Sequence, residues 1–219
     1  MNIKSFFNIL SALGEYLFAY EKLGKKFKKI SDIKSLEIFV NERSAFVTQT
    51  TLYGYLKTRM GLKYTLMFSD DVFIQSVNKS KWNIFVVAVS DLTLFTVSSL
   101  TKRDFINEQQ YDLISIYSNI IKDQLSKGMP SELYEQAITS FKEKISKVNI
   151  HNYIDNNPFY DSGQALYKWS PVADDLKVLD KEIVLNSIKN KWNKKALEDD
   201  QKFLSEQEKV EQAETPANP

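Results

Sequence analysis

The sequence predicts an all-α protein, a bundle of about six helices with an aromatic-rich loop before the last one. Three observations predict it. Apolar residues return every three or four positions through most of the chain, the period of one face of a helix. Two stretches, Ser31 to Met60 and Val72 to Leu100, run without a proline. Finally, 43% apolar and 13% aromatic content over 219 residues is ample for a large core, which excludes disorder of the whole chain.

Phe6, Leu10, Leu13, Leu17 and Tyr20 lie on one stripe with Asn8, Glu15 and Lys22 off it, so a first helix is expected at 3–22, with Gly24 beyond its end. Lys22, Lys25, Lys26, Lys28 and Lys29 follow within eight residues and repel one another too strongly for a core element. From Ser31 to Met60, Leu36, Val40, Val47 and Leu56 alternate with Phe39, Phe46 and Tyr53 on a neighbouring face, which reads as a helix buried on two sides. The β-branched residues between Val47 and Leu52 oppose that reading, because they lose rotamer freedom in a helix. Gly61 is its expected stop.

Asp70 and Asp71 stand where acids favour a helix start, and Val72 to Leu100 reads as one long helix or a broken pair. Its second half, Ile84 to Leu100, is the most hydrophobic stretch of the chain. A core helix is expected there. The alternatives are an α+β arrangement with a buried hairpin within 84–100 turning near Ser90 and Asp91, and a membrane-inserted segment, which Asp91 at its centre opposes at a cost of about 3 kcal/mol.

Asn107 and Gln110 resemble a capping box, and Tyr111, Ile114, Tyr117, Ile121 and Leu125 trace a helix that ends before Gly128 and Pro130. Ser131 is the expected cap of the next, whose apolar positions are Tyr134, Ile138, Phe141, Ile145 and Val148. The two form an αα-hairpin. Between Asn149 and Pro171, Asn, Asp, Ser, Gly and Pro mark turns, while Tyr153, Phe159, Tyr160, Tyr167 and Trp169 make the loop sticky enough to pack on the bundle. Val172, Leu176, Leu179, Ile183, Ile188 and Trp192 define a last helix. The expected division is one helical domain over 1–192, with 1–30 as amphipathic helix plus basic segment, and a disordered charged tail over 193–219.

Residues 1–68 carry eleven Lys or Arg against five Asp or Glu, and residues 131–219 carry twelve against sixteen, so the front is basic and the back acidic. A net charge of +1 argues against a dedicated nucleic-acid binder. The absence of cysteine removes disulfides, thiolate nucleophiles and cysteine metal sites together and fits a reducing, cytoplasmic setting. Glu15 interrupts the apolar N-terminal stretch and no small-residue cleavage site follows, so it does not read as a signal peptide.

His151 is the sole histidine, so a catalytic triad or a histidine metal site cannot be completed from several; no metal and no cofactor is expected. Weak catalytic candidates are His151 with Asp155 or Asp161 and a serine such as Ser162. His151 reads more simply as a residue near the end of the preceding helix. Asp91 carries more information. A carboxylate inside an apolar helix has to be paired, hydrogen-bonded or neutralised, and the expected partner is Arg43, with Glu42 and Gln49 completing a buried polar network. The helix at 3–22 followed by Lys22, Lys25, Lys26, Lys28 and Lys29 also has the makings of an anionic-surface binder, at about 1 kcal/mol per lysine.

Ser44 to Gly61, continuing to Ser90, Asp91 and Leu92, and a second stretch from Ala165 through Tyr167-Lys168-Trp169-Ser170-Pro171 to Trp192, resemble an uncharacterised family of bacterial proteins of about this size. The resemblance assigns no functional residue. Some members carry the label esterase, but no Gly-x-Ser-x-Gly elbow occurs in this sequence. The expectation is a non-enzymatic cytoplasmic interaction or scaffold protein with an unknown protein partner. The alternatives are an esterase-like hydrolase and a peripheral protein that binds anionic lipid at the inner face of the membrane.

Overall fold

A computed structural model describes residues 32–102 and 112–191. The expected helix 3–22, the five lysines from Lys22 to Lys29, the Asn107–Gln110 box, Trp192 and the tail 193–219 lie outside the described residues. The rest is an all-α multi-helix bundle, with no strand among the described residues.

Helix α1 is Ile33–Met60. Asp32 caps it by accepting the Ser35 amide at 2.7 Å, while the Ser35 hydroxyl accepts the Asp32 amide at 3.1 Å, a closed capping box. The β-branched run is absorbed because Thr50 and Thr51 donate their hydroxyls to the carbonyls of Phe46 and Val47, at 2.8 and 2.6 Å. Gly61, at φ 54°, ends the helix as expected, and a short helical connector through Met67 follows.

Helix α2, Asp71–Lys102, is unbroken over 32 residues and about 48 Å. Asp70 caps it by accepting the Val72 amide at 2.8 Å. The hairpin alternative at Ser90 and Asp91 is therefore overturned, since the backbone stays helical through both. Strand preference loses because burial on every side stabilises any regular element there, and Thr93 satisfies its hydroxyl on the Val89 carbonyl at 2.8 Å. The helix is long and apolar enough to cross a membrane, but 94% of its most apolar window is buried inside the protein. It is the shaft of the bundle.

Helix α3 is Leu113–Leu125, capped by Asp112 on the amides of Ile114 and Ser115. Helix α4 is Ser131–Ile145; Pro130 holds the cap position, and Ser131 is the first helical residue where the sequence suggested the cap itself. The expected αα-hairpin is closed by Tyr117 and Phe141, whose rings stack at 4.1 Å.

Residues 149–171 depart from the expected loop. Ile150–Asp155 form a 3₁₀ turn and Tyr160–Trp169 form helix α5. Residues 174–191 form the last helix, α6. The sequence hid α5 because Asp161, Ser162 and Gly163 are poor helix formers. Gly163 has a packing reason: a Cβ there would stand 2.7 Å from the Leu185 carbonyl oxygen, so its absence lets α5 and α6 approach closely. Phe159, wholly buried against Phe95 at 4.9 Å, enters α5 with φ 67°, a left-handed conformation costly for an aromatic residue.

Candidate functional site

Asp91 sits in the middle of α2 with no exposed surface, and four donors converge on its carboxylate. The Lys144 ammonium, from the last turn of α4, reaches Oδ1. Tyr153, from the 3₁₀ turn, donates its hydroxyl to the same oxygen at 3.0 Å. Ser162 supplies Oδ2 with both its hydroxyl at 2.6 Å and its backbone amide at 2.9 Å. The carboxylate is thus neutralised by one cation and solvated by three neutral donors, which is what makes burial of an ionised acid tolerable.

The Ser162 amide lies in the first turn of α5, whose cap residue Phe159 has no side chain able to accept from it. Asp91 does that work from another helix. Its negative charge also meets the positive end of the α5 dipole. Tyr153 completes the arrangement from the 3₁₀ turn, its hydroxyl donating to Asp91 shortly before the chain reaches the left-handed entry residue Phe159.

Lys144 is shared. It also binds Asp161 at 2.7 Å and lies 5.7 Å from the Tyr153 ring centroid. Burial alone pulls its pKa down, but the charges of Asp91 and Asp161 and their hydrogen bonds outweigh that, so it stands above the ordinary lysine value. The Tyr153 phenol is pushed far upward, first by burial and then by Asp91, and remains a neutral donor. Asp161 is half-exposed, and the Lys144–Asp161 pair forms the saddle between two clefts of about 580 and 420 Å³. The larger lies between α2, α4 and α5, with Asn83, Phe141 and Trp169 among its walls. Its lining carries Lys144, Lys147 and Lys168 against Glu143 and Asp161, with Lys144 already held by Asp91 and Asp161.

The expected Arg43–Asp91 network is corrected. Arg43 is buried on α1 with its guanidinium 6.0 Å from the Phe39 ring centroid, Glu42 is exposed, Gln49 is half-buried, and the donors to Asp91 are Lys144, Tyr153 and Ser162. A helix buried all round carries no sequence record of which face meets which neighbour, so the choice of α1 over α4 had no physical basis. Among the catalytic candidates, Ser162 binds Asp91 directly and Asp161 joins it only through the shared Lys144. Asp155 instead pairs with Lys102 at 2.7 Å across the surface, and His151 is exposed on the 3₁₀ turn. Ser162 has no exposed surface and its hydroxyl is spent on Asp91. Among the described residues no group of His, Cys, Asp and Glu is placed to hold a metal ion. Sequence reasoning missed Lys144 and Tyr153. Lys144 looked like an ordinary basic residue in a last helical turn, and Tyr153 was one of five aromatic residues in an apparent loop.

A second polar contact pins α6. Asp180 accepts from the Tyr55 hydroxyl at 3.0 Å and from the Arg59 guanidinium, both on α1. Arg59 first of all, by hydrogen bonding, holds the Asp180 carboxyl below its ordinary range, and burial raises the Tyr55 phenol to about 12. Comparison with family models, with curated proteins and with solved structures finds no match to this chain.

Proposed function

We propose that this chain is a non-enzymatic interaction protein that works in the cytoplasm and presents a helical surface to a protein partner. The observation that carries the reading is the state of Ser162. A nucleophile has to meet its substrate and hand its proton to a base, whereas Ser162 is wholly buried, caps onto Asp91 and serves to join α5 to α2. The polar centre of the molecule is consumed by its own fold. Among the charged residues that face outward on α6, the apolar side chains of Leu176, Val178, Leu179 and Ile183 are also exposed.

The test has two arms. Purified protein is assayed against 4-nitrophenyl acetate and butyrate, and the expected result is no turnover that depends on Ser162. Partners captured from native lysate, with and without detergent, are compared between the natural chain and Leu179→Glu, which should lose them while keeping its helical content. Ester hydrolysis that drops about a hundredfold in a folded Ser162→Ala variant would sink the reading.

A further inference from the structure

The larger cleft has two unlike ends. Helix α5 runs antiparallel to α2, since Ser162 meets Asp91 at one end and the Ser80 hydroxyl donates to the Trp169 carbonyl at the other. Between those ends Asn83, Val87 and Ser90 of α2 line the cleft as one face of the helix, over about 10 Å. The walls are apolar and aromatic, Val86, Leu133, Phe141 and Trp169 among them, and a volume of about 580 Å³ is that of a small-molecule site.

At the inner end stands Ser90, only 6% exposed, whose hydroxyl has no hydrogen-bond partner among the described residues. A buried hydroxyl left unpaired is a cost to the fold, and a ligand that pairs it removes that cost. At the outer end the Lys168 and Lys79 ammoniums lie 5.3 and 5.5 Å from the Trp169 ring centroid, and neither has a carboxylate in ion-pair reach among the described residues. Lys144 and Lys147, toward the inner end, share the lining with Asp161 and Glu143. Positive charge without a countercharge is therefore confined to the outer end.

We propose that this cleft binds a phenolic carboxylate, its ring between the apolar walls, its hydroxyl bonded to Ser90 and its carboxylate received by Lys168 and Lys79. Each part of the ligand answers to one observation. The unpaired Ser90 hydroxyl calls for a neutral hydrogen-bonding group, the aromatic walls for a planar apolar body, and the two lysines for a single anion. The separation of the ends calls for one ring with a short arm. No bond is made or broken, so the site is independent of Ser162 and of the interaction reading above.

4-Hydroxycinnamate is the probe, with cinnamate lacking the hydroxyl and methyl 4-hydroxycinnamate lacking the charge. Isothermal titration of the full chain should show saturable one-to-one binding of 4-hydroxycinnamate with a Kd on the order of 100 µM, weakening as salt rises. Cinnamate and the methyl ester should each bind about five- to tenfold more weakly. Ser90→Ala should lose the same factor toward 4-hydroxycinnamate and nothing toward cinnamate, while Lys79→Gln with Lys168→Gln should abolish the preference for acid over ester. Ser90 has no partner to lose, so Ser90→Ala should melt no lower than the natural chain, which separates weaker binding from a folding defect. Absence of saturable binding at millimolar probe overturns the proposal, as does ester binding as tight as that of the acid. Equal weakening of cinnamate and 4-hydroxycinnamate by Ser90→Ala, or a lower melt of that variant, overturns the place given to Ser90 and the proposal with it.

Discussion

At the scale of single residues the molecule turns on Asp91 and Lys144. Breaking a buried ion pair from one side leaves a charge without its partner, at about 3–5 kcal/mol. Lys144→Met should fall toward the lower end of that range, because Ser162 and Tyr153 go on donating to the carboxylate. The measurement is the denaturant midpoint at constant m-value. Replacing the pair together, Asp91→Leu with Lys144→Met, should restore little. An isolated ion pair can be exchanged for apolar side chains, but here Asp91 also satisfies the Ser162 amide and two hydroxyls, which the leucine would strand. Recovery to within about 1 kcal/mol of the natural chain would show that those donors find other partners. The pair also sets an alkaline limit. Lys144 holds its proton more tightly folded than unfolded, so the stability it adds is complete below the unfolded value near 10.5 and is lost as pH rises through the higher folded value. Thermal midpoints should therefore decline above about pH 10.5, less steeply in Lys144→Met.

Among the elements, two glycines inside helices give opposite expectations. Gly54 on α1 has open space where a Cβ would go, and Gly54→Ala should stabilise by roughly 0.5–1 kcal/mol through helix propensity. Gly163→Ala on α5 meets the Leu185 carbonyl and should cost about 1–3 kcal/mol as α5 and α6 are forced apart. Thermal melts of the two variants decide it; equal shifts would mean that the α5–α6 approach is looser than the packing indicates. This contrast marks where the sequence was legible. Helices α1, α3, α4 and α6 announce themselves through apolar period and through Gly61 and Pro130, whereas the cap of α3 at Asp112 is not the Asn107–Gln110 box that the sequence suggested. Helix α5 does not, because its cap is supplied by a residue 71 positions earlier and its glycine answers to a neighbour. Likewise Asp91 was recognisable as a buried carboxylate from its apolar surroundings alone, while Lys144 was not, since only the crossing of α4 over α2 brings it there.

For the whole molecule, α2 touches α1, α3, α4, α5 and the 3₁₀ turn, so no neighbour can leave without uncovering it. Residues 84–101 are buried almost without interruption. Their amides should exchange with solvent only through global opening, and so define the slowest class in a hydrogen-exchange experiment. Amides of 131–145 outlasting those of 84–101 would contradict a shaft-centred core.

The borrowed cap on α5 has a consequence in time. A helix of ten residues is too short to persist alone, and this one cannot satisfy its first amides until Asp91, Lys144 and Tyr153 have been brought together. It is therefore a late arrival in folding, formed on a scaffold of α2 and α4 that already exists. Loss of the Ser162 hydroxyl in Ser162→Ala should then quicken unfolding and leave the refolding rate nearly untouched. A peptide spanning 157–171 should be unstructured in water, its helical form being a property of the assembled core and not of its own residues.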